Sequence, residues 1–246
     1  MAKDITAAFD AVINSRRSVR GFLPDQVPSE LMEKVFTQAQ RSPSNCNTQP
    51  WSVAVVSGER RDKLREMFCE AMKSGEMNLD FPYDGAYDGE YKNRQHGSAK
   101  ALYDAMGVTR DDKAGRGAAF MRNFEFFDAP HVAFLFLPEE FGLREAADLG
   151  MYAQSLMLSL TANGLASCAQ TALSMHCDQL RGELGLEDNL KLVFGISFGY
   201  EDSKHAANQC RVNRAPLDEV VQFFDEAKNR LSGFNSDRLI IGLWRS

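Results

Sequence analysis

Residues 145–163 carry Ala146, Ala147, Leu149, Met151, Tyr152, Leu156, Met157, Leu158 and Leu160, so apolar side chains cover most of a predicted helix. A helix apolar all round belongs at the centre of a core or in an interface. Gly164 stands where a C′ glycine would end it. The rest of the chain has to be arranged about that element. Helical spacing recurs over 4–14 (Ile5, Phe9, Val12 and Ile13 on one stripe), 59–73 and 176–184. Pro28-Ser29-Glu30 opens another helix, with Ser29 as its N-cap and Leu31, Val35, Phe36 and Ala39 inward. Strands are predicted at Trp51–Val56, at 131–137 behind Pro130, around 166–171, and at Leu190–Phe198, and a last helix from Pro216. With 246 residues, no internal repeat and no separating linker, one domain over 1–246 is expected.

Two stretches stand outside that frame. Between 74 and 117, Gly75, Gly85, Gly89, Gly97, Gly107, Gly115 and Gly117 are scattered among Asp, Tyr and Lys, and only a short helix near 98–106 is predicted. A long excursion inside a compact domain is usually a lid or a disordered insertion, and an active-site cover is expected here. Tyr83, Tyr87 and Tyr91 recur every fourth residue, but Gly85 and Gly89 between them favour an exposed flap. The tail 229–246, with Leu239-Ile240-Ile241, is apolar, and burial against a partner subunit is expected for it.

Composition excludes several classes. A net charge of −6 does not favour nucleic acid as a partner. The longest apolar runs, such as Val132–Leu137, are too short to span a bilayer, and no secretory signal is visible, so a cytoplasmic location is expected. The five cysteines, Cys46, Cys69, Cys168, Cys177 and Cys210, show no CxxC pair and read as reduced thiols. The four histidines lack the short spacings of zinc sites, so no metal is expected, and His131 at a strand start reads as structural.

The residues that suggest chemistry lie in three segments. In Ser42-Pro43-Ser44-Asn45-Cys46-Asn47-Thr48-Gln49-Pro50-Trp51 the prolines disfavour a helix, and an extended run would turn Asn45, Asn47 and Gln49 to one side. Such a row of amides suits either a polar turn or the edge of a flat ligand that alternates donors and acceptors. In Arg16-Arg17-Ser18-Val19-Arg20, extended geometry would direct Arg16, Ser18 and Arg20 the same way, as a receptor for phosphate or as a solvated loop. Arg211 and Arg214 form a second basic group just before Pro216. Phe124 and Phe127 are candidates for a substrate channel, with core packing as the alternative, and Cys46 reads as a space-filling residue.

Taken in order and spacing, Ser15–Arg20, Ser42–Trp51 and Arg211–Val221 resemble the FMN-dependent nitroreductase family. Phe127-Asp128-Ala129-Pro130 is similar to that family's lead-in to its central strand, and Gly164–Gln170 to the segment after its long helix. The resemblance covers nearly all the chain except 74–117. It implies an α+β fold with a mostly antiparallel sheet surrounded by helices, and an interlocked homodimer with exchanged C-terminal arms and FMN at the subunit interface. It further implies that Arg16 and Ser18 hold the flavin phosphate or ribityl chain, Arg17 contributes mainly backbone, and Arg20 lies at the pyrimidine edge. Pro43, Ser44, Asn45 and Asn47 would arrive from the other subunit, with Gln49 reaching the ribityl or ring and Arg214 and Arg211 completing the phosphate site. Leu173 and Ser174 would pass backbone near the reactive flavin nitrogen, although the glutamate-glycine pair some members carry there is absent. No catalytic side chain is needed, since the flavin carries the chemistry. NADPH or NADH would be a transient co-substrate, and a nitroaromatic or quinone the acceptor, in a ping-pong cycle. A reductive dehalogenase, a flavin-fragmenting enzyme or a non-catalytic FMN-binding protein are the alternatives.

Overall fold

The strand His131–Pro138 (β2) is buried along seven of its eight residues, and the structure is organised around it. It is antiparallel to its neighbour Ser52–Ser57 (β1) on one side and to Leu190–Gly199 (β4) on the other, and Ala166–Gln170 (β3) pairs with β4, giving the order β1-β2-β4-β3. Alternate residues of β2 feed two separate cores. Val132, Phe134 and Phe136 pack with Leu64 and Phe68 of the helix Gly58–Ser74 and with Leu180 of the helix Cys177–Leu184. Ala133, Leu135 and Leu137 pack with Val35 and Ala39 of the helix Ser29–Ala39, and with Leu149, Leu156 and Leu160 of the helix Leu143–Ala162. Both faces are therefore covered, which is why β2 is apolar throughout rather than alternating. This is the expected α+β arrangement with an antiparallel sheet.

The computed structural model describes residues 2–224 apart from Glu76 and Asp84, so the expected arm at 229–246 lies outside the described residues. Seven α-helices are described: Ala2–Ser15 (α1), Ser29–Ala39 (α2), Gly58–Ser74 (α3), Gly89–Met106 (α4), Lys113–Met121 (α5), Leu143–Ala162 (α6) and Cys177–Leu184 (α7). Chain contacts divide into one unit ending at Arg211 and a second beginning at Val212. Among the described residues no helix is long and apolar enough to cross a membrane.

Several expectations are corrected. Pro28, not Ser29, occupies the cap position of α2, and no side chain caps it; Met32 N donates to Pro28 O at 2.9 Å instead. The excursion holds two helices, α4 and α5, where only a short one near 98–106 was predicted. Neither has a buried residue, so neither writes an apolar stripe into the sequence; local pairing such as Lys100–Asp104 supports α4, and Asp112 caps α5 by accepting from Gly115 N. From Pro216 only a short turn forms, at Leu217–Glu219, with Leu217 and Val220 exposed. A helix without a buried face is marginal at such length. As predicted, α6 ends at Gly164, whose φ of +77° a glycine takes without strain.

Candidate active site

The segment after α1 runs alongside β3: Ser18 forms a parallel bridge to Ser167, and Val19 N donates to Ser167 O at 3.0 Å. Buried Val19 anchors the strip in the core. Arg17 pairs with Glu201, so its guanidinium is already committed. Arg16, Ser18 and Arg20 lie on the same strip, and Arg20 Nη1 donates to Ser18 O at 3.4 Å. Burial pushes the Cys168 thiol of β3 up, while the charge of Arg20, a hydrogen bond to the Ser18 side chain and the charge of Arg16 pull it back down.

Buried Asn208 ties this strip to the second basic group. Its Oδ1 accepts from Arg20 N at 2.7 Å, and its Nδ2 donates to Gly21 O and Asp202 O, both at 2.8 Å. Arg211 donates to Asn208 O at 2.7 Å, which brings Arg211 beside the Arg20 strip. Arg214 belongs to the second unit, where its guanidinium donates to Asn213 O at 3.4 Å.

The amide-rich loop is a turn, not an extended run. Asn45–Asn47 form one 3₁₀ turn, and Cys46, Asn47 and Gln49 hold φ of 50°, 56° and 49°. The alternation expected of Asn45, Asn47 and Gln49 is therefore corrected: left-handed residues break the two-residue period on which it rested. Asn45 N donates to Asp148 Oδ2 at 3.0 Å, Gln49 N to Ser44 Oγ at 2.9 Å, and Gln49 Nε2 to Asn47 O at 3.2 Å. Pro43 precedes the turn, and Cys46 is exposed rather than filling space in the described residues.

Leu173 and Ser174 lie in the 3₁₀ turn Thr171–Met175 that follows β3. Leu173 is buried against Gly195 of β4, where an added Cβ would come within 2.6 Å of Leu173 Cδ1. Phe124 and Phe127 are 0% and 3% exposed. They pack in the core, Phe124 edge-on to Phe120 and His176, and so do not line a channel as proposed from sequence. His131 is structural as read: Nε2 accepts from Val27 N at 2.9 Å, Nδ1 bonds the Ser57 hydroxyl, and burial, with Arg61 nearby, lowers its pKa to about 4.

The sequence reading missed five positioning residues: Asp148, Asn208, Glu201 and the buried pair Asp80–Arg181. Asp80 accepts from Arg181 Nη1 at 2.6 Å and from Leu192 N at 2.7 Å, and these bonds outweigh burial in holding its carboxyl below the usual range. Asp148 had a legible signal, being the lone carboxylate between Ala147 and Leu149 in the most apolar helix. The others become visible only once distant segments are brought together.

A sequence model described as the Nitroreductase family matches residues 13–200. The chain belongs to the nitroreductase family. It is 45% identical over 221 residues to nitroreductase NfnB of Mycolicibacterium smegmatis, covering 89% of this chain and 94% of that one. It is 32% identical over 222 residues to a 4-nitrobenzoate reductase of Pseudomonas putida, covering 89% and 95%. The structure of the FMN-dependent nitroreductase NfnB from Mycobacterium smegmatis in complex with NADPH superposes with a TM-score of 0.87 at 44% identity, covering 90% of this chain and all of that one. The nitroreductase fold read from the motifs is thereby established across the described frame.

Proposed function

We propose that this nitroreductase-family protein is an FMN-dependent oxidoreductase that uses NADPH or NADH to reduce small nitroaromatic or quinone acceptors in a ping-pong cycle. The observation that carries the reading is the basic strip Arg16–Arg20 bridged to β3 at Ser18 and Ser167, in a chain 45% identical to a nitroreductase. Two guanidinium forks and a hydroxyl suit a phosphate with its adjoining ribityl chain. Ser167 Oγ, buried and without a hydrogen-bond partner among the described residues, adds an unused polar group beside Ser18.

FMN, when bound, would supply the redox chemistry, hydride transfer from nicotinamide to acceptor. The protein's part is to bind and orient. Arg16 and Ser18 hold phosphate and ribityl, Arg17 contributes backbone while Glu201 occupies its side chain, and Arg20 brings positive charge to the pyrimidine edge. Pro43, Ser44, Asn45, Asn47 and Gln49 form a wall donated to the neighbouring subunit's flavin. Leu173 and Ser174 would present backbone along the ring, and Arg211 would complete the phosphate site. The segment 74–117 covers the acceptor.

The reading includes a homodimer in which a single domain spans 1–246 and the arm at 229–246 is exchanged. Ile5 and Phe9 of α1 and Met151 of α6 are exposed apolar side chains, as a surface awaiting a partner requires. Cytoplasmic location remains part of the proposal.

Purified protein is expected to be yellow, to bleach anaerobically with NADPH or NADH, and to regain colour on addition of 4-nitrobenzoate. Bound flavin that neither nicotinamide bleaches would make the protein a non-catalytic binder, and failure to take up FMN would remove the whole reading. Arg16→Ala should lose FMN on gel filtration, while Arg60→Ala, an exposed position on α3, should keep it; equal retention would sink the phosphate role.

A further inference from the structure

The amide-rich loop is held in an unfavourable shape by one face of α6. Three non-glycine residues, Cys46, Asn47 and Gln49, sit in the left-handed region within four positions. Such conformations persist only where surrounding contacts over-determine them. At the loop's start, Asn45 N donates to Oδ2 of Asp148, a carboxylate only 4% exposed. At its end, Trp51 stacks on buried Tyr152 with ring centroids 4.9 Å apart and planes at 27°, while its indole N–H donates to Gln40 Oε1 at 2.7 Å. Asp148 and Tyr152 are four residues apart, hence one above the other on the same helix face, about 6 Å along the axis.

We propose that Asp148 and Tyr152 form a two-point clamp that sets the conformation of residues 45–51 and thereby the affinity for FMN, without either side chain touching the cofactor. They are positioning residues, and the proposal rests on the reading of this loop as a flavin wall. A carboxylate buried beside Leu149 and Tyr152 on the inner face of this helix is costly unless it is used. Among the described residues, its hydrogen bond reaches the first residue of the strained turn. Asp148 fixes where that turn starts; the Trp51–Tyr152 stack fixes where it must end. The backbone between has little freedom to relax to right-handed values.

The test measures FMN dissociation constants on refolded apoprotein by quenching of FMN fluorescence, with thermal melts alongside. Asp148→Ala should weaken FMN by about tenfold or more, as expected when a hydrogen bond to a charged group is lost. Asp148→Asn, whose amide oxygen still accepts from Asn45 N, should stay within about threefold of the parent, since a neutral acceptor replaces a charged one. Leu64→Ala, in the core on the far face of the sheet, should lower the melting temperature without changing FMN affinity. Where Asp148→Ala yields no folded protein, Tyr152→Leu carries the same test from the loop's other end and should weaken FMN severalfold.

Loss of affinity in Asp148→Asn equal to that in Asp148→Ala, or loss in Leu64→Ala as large as either, would overturn the clamp. The combined variant Asn45→Ala, Asn47→Ala, Gln49→Ala separates the two layers of the argument. If it weakens FMN while Asp148→Ala does not, the clamp is wrong and the wall stands. If it binds FMN as the parent does, the wall reading falls and the clamp with it.

Discussion

Strand β2 and helix α4 are opposite kinds of element. Seven of the eight residues of β2 are buried, feeding two cores at once, whereas none of the eighteen residues of α4 is. The frame is thus held by burial, each large side chain contributing about 1.5–3 kcal/mol. The excursion is held by a few polar attachments. Asn78 N donates to Met175 O at 2.8 Å, Asp178 N donates to Asn78 Oδ1 at 3.0 Å, and Asp80 pairs with Arg181, both side chains being 6% exposed. The surface of such a segment can change without disturbing the sheet, while its roots cannot.

The contrast can be broken by experiment. The largest effect is expected from Phe134→Ala in β2, about 3–5 kcal/mol off the unfolding free energy by urea titration, because the cavity opens in the middle of a packed core. A loss under 1 kcal/mol would mean the core is not the frame. Asp80→Ala comes next. Removing one partner of a buried pair costs about 3–5 kcal/mol, and the frame should share that loss, because Arg181 of α7 and Leu192 N of β4 both lose their acceptor. Limited proteolysis should also cut within 77–121 at least tenfold faster (a rough figure for partial local opening). Unchanged cleavage would show that other contacts hold the root.

A third effect concerns pH. His131 is held neutral, its pKa lowered to about 4 against an ordinary value of 6.5. The unfolded chain therefore takes up this proton more readily than the folded one, so stability is fully present above about pH 6.5 and declines as pH falls toward 4. Melting temperature against pH should fall more steeply over that window in the parent than in His131→Asn; parallel curves would remove His131 from the balance. The smallest effect belongs to Tyr91→Ala on exposed α4, within about 0.5 kcal/mol in stability. If the excursion covers the acceptor, that variant should nevertheless alter the ratio of rates with a bulky and a small nitroaromatic. An unaltered ratio would leave Tyr91 outside the acceptor's reach.

Legibility in the sequence followed burial. The strands and α6 were readable because each buries enough apolar surface to impose a pattern, and Gly164 marked the helix end for a reason of φ alone. Helices α4 and α5 were mostly missed because no residue of either is fully buried, and the helix expected from Pro216 was over-read because Val220 and Val221 stay exposed among the described residues. Near the proposed site, the extended course read for Arg16–Arg20 agrees with the bridge of Ser18 to β3. The amide loop was legible in composition and wrong in shape, since prolines exclude helix without specifying the left-handed turn between them.

The excursion leaves and rejoins the frame at one residue. Asn78 forms a bridge to His176, and Phe124 lies against the same imidazole with centroids 5.8 Å apart. A segment whose two ends already meet costs little extra closure entropy when it is lengthened, roughly 0.6 kcal/mol per doubling. The stretch from 81 to 120 is therefore open to exchange, provided that Asp80, Arg122 and Asn123 stay to hold Arg181, the Arg20 carbonyl and Gln170.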